Sequence, residues 1–515
     1  MNFKVESTFG EIDFNKSKLF IKFFVFSLSL LQIVVSNFDL NVVSIVFFVS
    51  FSTNLLLNFC FNKKYFIFYF FPTFILFSLN FVFLTGPLFF KSIFLQSIDT
   101  NLSSPVLTYL LASIYQIIAI FALLFYSKNN FFFRISKKIT NNILFPLKSF
   151  EELKISHALF IFIILIFIKF FINFIDGGVN QFSDFGDFWI KTLYRISILY
   201  YLPLILFFKF FYINKKISKS FFLTIIFIYM LSGFIFALSS NSRTDFFETF
   251  IILGTCSIII KFFIATTKKT FSNILISTAL LLVILISSSI SNTILNNRTS
   301  VFNITPNKLL FLSLKDIKGT PSNLTRFEQG STYTGNELLD RFVNIKLFDY
   351  SLMLSNNVTI NRRTEFNNII FNKYLGIIPQ PFINIFDKNF SKAKYVISSG
   401  SMLEKSFFGD FQGGKLTQGS YLIELKVIFN SYVLTFFVIF ILFTLMFIVV
   451  QSFQVNTNTE IIFSPLIIVF APTLFWLTHE DSGSAIIYFL VRGVWEIVFL
   501  YYLILFFKKK NFRNR

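Results

Sequence analysis

The sequence is poor in most of the residues from which soluble enzymes build surfaces and sites. Of 515 residues only two are cysteine and two are histidine, and 14% are charged. A charge content this low, joined to 55% hydrophobic residues and a mean hydropathy of +0.70, excludes a soluble globular protein with a solvated surface. Cys60 and Cys256 each lie inside an apolar stretch, so they read as small hydrophobes and provide neither a disulfide framework nor a metal site. No small-residue cleavage pattern follows the first apolar run, which is long enough to span a bilayer and reads as an uncleaved helix. No internal repeat is present.

What the chain has in abundance is long apolar runs. They fall at 19–36, 41–61, 65–85, 105–126, 157–175, 193–213, 219–238, 245–267, 271–291, 431–451, 460–478 and 484–507, each near the length of a spanning helix. Backbone amides in a hydrocarbon core must be satisfied within the segment, and the alternating pattern of a barrel is missing. The sequence therefore predicts an all-α polytopic membrane protein of about twelve transmembrane helices. The 83 phenylalanines carry no functional meaning by themselves.

The net charge of +20 would suit nucleic acid, but the basic residues sit in short clusters between apolar runs, where they act as topology signals. No nucleic-acid partner is expected. Lys63 and Lys64, the group from Lys128 to Lys154, Lys215 to Lys219, Lys268 and Lys269, and the tail from Lys508 to Arg515 fall in alternate connections. The intervening short connections hold Asp39, Asp176, Asp184, Asp187, Glu480 and Asp481. Both termini are expected in the cytoplasm. The chain divides into helices one to nine (1–291), a large extracytoplasmic loop (292–430), and helices ten to twelve with a basic tail (431–515).

Loops of this length are usually functional or disordered. Apolar periodicity within it predicts helices at 335–354 and 364–374, so a small folded cap is expected, and five glycines between Gly400 and Gly419 supply turns or a close approach to a ligand. Arg243 stands at the outer end of helix seven in Ser239-Ser240-Asn241-Ser242-Arg243-Thr244-Asp245, where a guanidinium can grip phosphate or snorkel to headgroups. The cap adds Arg298, Arg326, Arg341, Arg362 and Arg363. In helix twelve, Arg492 and Glu496 are spaced i, i+4 and predict an ion pair facing the bundle, because a charge at the bilayer centre costs about 2.5–3.5 kcal/mol.

Three of these stretches make the chain resemble the O-antigen polymerase and ligase superfamily. They are the serine–arginine element at Arg243, with Gly254 completing an Arg-x10-Gly spacing; Leu338 to Phe342 with Leu347-Phe348-Asp349-Tyr350 behind it; and Gln418-Gly419-Ser420-Tyr421-Leu422-Ile423-Glu424-Leu425 leading into helix ten. Ligases of this superfamily place a histidine where Gln418 stands, and the external loop holds none, which favours the polymerase branch. Asn430 departs from the family, which often has glycine there.

The resemblance implies an oligosaccharide repeat-unit polymerase of the bacterial inner membrane. Such an enzyme transfers a growing glycan from undecaprenyl diphosphate to a sugar hydroxyl of another lipid-linked repeat unit. It implies Arg243 and Arg341 as a clamp for the departing diphosphate, and Arg298, Arg326, Arg362, Arg363 and Gln418 as substrate contacts. Glu424 is the preferred general base among the external carboxylates Glu424, Glu404, Asp410, Glu480 and Asp481. The first external loop has no Asp-x-Asp, so no metal or other cofactor is expected. A chain-length regulator and a flippase are expected partners. Two alternatives stay open at this point: a ligase moving finished glycan, and a polysaccharide transporter or flippase.

Overall fold

The computed structural model describes residues 2–4, 14–151, 153–175, 193, 196–212, 214, 216–239, 243–263, 308, 311, 333, 343–378, 380–391, 395, 399–408, 420–456, 460–477 and 483–511. Helices dominate, and among the described residues eight are long and apolar enough to cross a bilayer. The chain is a multi-pass, all-α membrane protein. Exposed Phe, Leu, Ile and Val side chains along these helices form the surface that lipid would cover, since lipid-facing and interior residues are equally apolar.

Helices α1 (Phe14–Val35) and α2 (Leu40–Phe59) form a hairpin. Asn37 and Phe38 turn it with positive φ, and Asp39 caps α2 by accepting from the Asn41 amide at 2.8 Å. Helix α3 (Phe70–Ile93) returns towards the same end, with a π-helical turn at Phe81–Thr85. Helix α4 (Pro105–Lys128) packs against α2. A short amphipathic helix, α5 (Asn130–Ile139), carries Arg134, Lys137 and Lys138. Then come α6 (Ile155–Ile175), α7 (Leu202–Tyr212), α8 (Lys219–Ser239) and α9 (Arg243–Phe263). Every residue of α7 is buried, Lys209 included, so α7 is a core element of the bundle.

Four cap helices follow: α10 (Ile345–Asn356), α11 (Ile360–Leu375), α12 (Gln380–Phe386) and α13 (Ser399–Phe408). Helix α14 (Tyr421–Phe429) leads into the spanning helix α15 (Tyr432–Ser452), which packs on α4. Between them Asn430 adopts the left-handed conformation at φ 51°, and Ser431 caps α15. That conformation favours glycine and next asparagine.

The expected spanning helix at 460–478 is corrected by the structure. Residues Glu460–Phe463 form a strand, β3, placed between β1 (Asn2–Lys4) and β2 (Gln454–Asn456) in a three-stranded antiparallel sheet. Asn2 pairs with Ile462 and Gln454 with Phe463. Two short buried helices follow, α16 (Pro465–Val469) and α17 (Ala471–Leu477). Ser464 and Pro465 start the first and Pro472 falls at the start of the second, so the apolar run is divided at its prolines. The run at 65–85 is likewise displaced: a short helix at Lys63–Phe68 precedes α3. The run at 193–213 appears as a shorter apolar helix, Ile198–Tyr212, and that at 271–291 lies outside the described residues. The last helix, α18 (residues 483–511), contains a π turn at Phe489–Gly493.

The bundle has two distinct ends. At one, Tyr65 hydrogen-bonds Ser127, Thr140 donates to the Ser452 carbonyl, Ser464 donates to the Ser149 carbonyl, and the sheet holds residues 2–4. At the other, Gln32 donates to Ser92 and accepts from the Ile98 amide, and the cap helices dock. Asp349 of α10, 2% exposed, fixes that docking. Its carboxylate accepts from the Ser103 and Ser104 amides at 2.6 and 3.0 Å and from the Thr108 hydroxyl at 2.6 Å. Ser104 makes no capping bond through its own side chain, so Asp349 caps α4 from across the interface.

Candidate functional site at the junction of cap and bundle

The junction is built by α14, α11 and the first turn of α18. Ser420 precedes α14, and Glu424 falls at the end of its first turn, where the positive end of the helix dipole suits a carboxylate. Glu424 is fully buried. Helix α11 crosses beside it, and the Tyr374 hydroxyl donates to Glu424 Oε1 at 2.6 Å. Burial, and then the Glu424 charge, push the phenols of Tyr374 and Tyr421 well above their ordinary range. Both therefore keep their protons and can only stabilise a negative neighbour.

Gly483 completes this corner. A Cβ there would lie 2.2 Å from the Tyr421 ring and 2.4 Å from the Tyr374 hydroxyl, so only glycine lets α18 start against the two tyrosines. Beside Tyr421 lies a small apolar cavity, about large enough for one water, lined also by Tyr115, Ile439, Phe443, Met446 and Ile486.

The second part of the junction is cationic. Lys426 donates to Ser355 Oγ at 3.0 Å and to Asn356 Oδ1, and lies 5.3 Å from the centre of the Tyr432 ring. Burial and the neighbouring Arg363 charge lower its pKa to about 8. Arg363 has its Nε buried and meets no hydrogen-bond acceptor among the described residues. Two cations thus lie close enough to interact, and among the described residues neither is paired with a carboxylate. Arg362 points elsewhere: its guanidinium donates to the Ser406 carbonyl at 3.1 Å and ties α11 to α13, next to an exposed Lys405–Glu365 ion pair of 2.8 Å.

No protein-family model matches the chain, and no curated protein or solved structure is similar to it.

Of the residues expected from sequence, Glu424, Arg362 and Arg363 are described with their side chains, and Glu424 and Arg363 both belong to the junction. Arg243 is the first residue of α9, and its side chain lies outside what the structure describes. Gly254 sits in α9 with open space where a Cβ would point, so packing does not require glycine there. Arg298, Arg326, Arg341 and Gln418 lie outside the described residues, as do Asp410, Glu480 and Asp481. Sequence reasoning missed the roles of Tyr374, Tyr421, Lys426 and Gly483. Tyr421 and Lys426 flank Glu424 within one helix, which was a signal; Tyr374 and Gly483 reach it only through the fold.

The expected pair in the last helix is present. Arg492 Nε contacts Glu496 Oε1, and the Tyr488 hydroxyl donates to Glu496 Oε2 at 2.8 Å. This network sits on the π turn, half-buried and within the span Ala485–Phe506.

Proposed function

We propose that this protein is a membrane glycosyltransferase that polymerises oligosaccharide repeat units carried on undecaprenyl diphosphate, working at the outer face of a bacterial inner membrane. The observation that carries the reading is the junction itself. A buried carboxylate held by a tyrosine, and a lysine–arginine pair that among the described residues has no carboxylate partner, occupy the same short stretch of α14 and α11.

In this reading a sugar hydroxyl of the incoming repeat unit attacks the anomeric carbon of the growing glycan. Its proton passes to Glu424, whose orientation Tyr374 fixes. The bond from that carbon to the diphosphate oxygen breaks, and the electron pair leaves with the lipid diphosphate. Arg363 and Lys426, with Arg243 and Arg341 as further members of the clamp, offset the charge that develops on it. The basic residues gathered at the opposite end of the bundle favour that end as the cytoplasmic one.

Loss of the gene is expected to leave single repeat units on the lipid carrier, and Glu424→Gln should reproduce that phenotype with the protein inserted at normal abundance. Positioned base catalysis contributes about 10²–10⁴-fold, which sets the size of the loss. Long polymer accumulating on the carrier would instead indicate a ligase, and normal polymer would remove the proposal.

A further inference from the structure

Helix α12 exposes a face that has no counterpart on a water-soluble surface. Phe382, Ile385 and Phe386 are spaced i, i+3 and i+4, with Ile378 one turn ahead, and all four are exposed, Ile385 at 72% and Phe386 at 91%. The opposite side of the same segment is used for packing: Ile383 and Phe390 are buried, and Phe390 stacks on Tyr395 at 5.4 Å. The segment is therefore anchored by Ile383 and Phe390, and its large exposed side chains are apolar, with Asn384 and the polar residues 387–389 exposed beside and after them. A run of large exposed apolar side chains of this kind marks an interaction surface.

The position of α11 decides what covers it. Asn367 reaches the Ile428 carbonyl at 3.5 Å, four residues before α15 begins at Tyr432. Tyr374, two turns further on, meets Glu424 and sits over Gly483, the first residue of α18. Helix α11 thus lies across the tops of two membrane helices, at the level where the chain enters hydrocarbon. The first turns of α15 expose Val433, Leu434 and Phe437, which belong to the lipid-facing belt of a span. Phe371 of α11 is exposed as well, and α12 follows α11 after a short turn, so its apolar face lies in the segment next to that rim. Lys388, exposed directly beyond the helix, stands where headgroup phosphates would be met.

We propose that α12 is an in-plane interfacial helix whose Ile378, Phe382, Ile385 and Phe386 side chains insert into the leaflet on the cap side. Helices of this type bind by their apolar face and keep their polar side in the headgroup layer. The cap is then held to the membrane at its outer edge as well as by its covalent connections to the bundle. This inference is independent of the chemistry proposed for the junction.

The test is site-directed spin labelling in the full chain. In a Cys60→Ala, Cys256→Ala background, nitroxides are placed by Phe382→Cys, Ile385→Cys, Phe386→Cys and Asn389→Cys. The protein is reconstituted into vesicles of phosphatidylethanolamine with a minority of phosphatidylglycerol. Collision with oxygen should exceed collision with a water-soluble nickel chelate several-fold at positions 382, 385 and 386, and the ratio should reverse at 389. Free access to the nickel chelate at 385 and 386 would overturn the proposal, and so would poor access to both reagents, which would show that protein covers the face. Should the cysteine-free background not fold, Phe386→Trp in the otherwise unaltered chain answers the same question. Its added fluorescence should be quenched by brominated acyl chains and spared by iodide, and the reverse result counts against insertion.

Discussion

Replacing Asp349 with alanine should undock α10 from the head of α4. The carboxylate accepts three hydrogen bonds, from the Ser103 and Ser104 amides and the Thr108 hydroxyl. Bonds to a charged group are worth about 1.5–3 kcal/mol each. Ser103 is exposed, and water takes over its amide once the carboxylate is gone, whereas Ser104 and Thr108 are shielded. The loss is then roughly 3–6 kcal/mol, the contribution of the two shielded donors, or about 10²–10⁴-fold in the docking equilibrium. Asparagine keeps the shape and one acceptor but loses the charge facing the helix dipole, so Asp349→Asn should cost less, on the order of 1–2 kcal/mol. Hydrogen exchange on peptides covering 100–115 and 345–356 reads this directly. Protection should fall by about two orders of magnitude in the alanine variant and by about one in the asparagine variant. Equal protection in the alanine variant and the parent would refute the assignment of Asp349 as the clasp between cap and bundle.

Three further outcomes follow from the site. Gly483→Ala should displace Tyr374 from Glu424 and lower polymer formation by at least about tenfold while leaving insertion intact, because its Cβ would overlap both tyrosines; polymer at the parental level would show that the corner is not needed. Lys426 has a lowered pKa of about 8, so its unfavourable charge is fully present below that pH and is relieved as pH rises towards the ordinary lysine value; stability from this group increases over that window. Grip on an anion weakens over the same rise, so turnover in reconstituted vesicles should decline through about pH 8, and Lys426→Arg should remove that decline. Arg492→Ala should destabilise the last helix by about 1–3 kcal/mol by leaving Glu496 charged inside the span, and adding Glu496→Gln should recover part of it, as followed by thermal unfolding in detergent; equal stability of all three proteins would show that the pair is dispensable.

The spans were legible because lipid imposes a length and a composition that a single sequence displays. Residues 105–126 and 431–451 could hardly be anything else, and both became helices within a few residues of the expected bounds. The same criterion misled at 460–478, since a backbone buried among other helices can be as apolar as a span while being a strand and two short helices. Ser464, Pro465 and Pro472 were the local evidence against one continuous helix there. At the junction, Glu424 was readable from its place before a span and from a family resemblance. Its partner Tyr374 lies 50 residues earlier, and no pattern in one chain announces a contact of that range. Arg362 and Arg363 looked equivalent in sequence. Adjacent positions on a helix point about 100° apart, so one became a tie to a carbonyl and the other a neighbour of Lys426.

The small sheet sets an order on how this protein can be completed. Among the described residues, 2–4 pair with Glu460–Ile462, so this ladder forms only after most of the membrane helices have been synthesised. Closing that ladder ties the segment before α1 to the segment that precedes the last membrane helix.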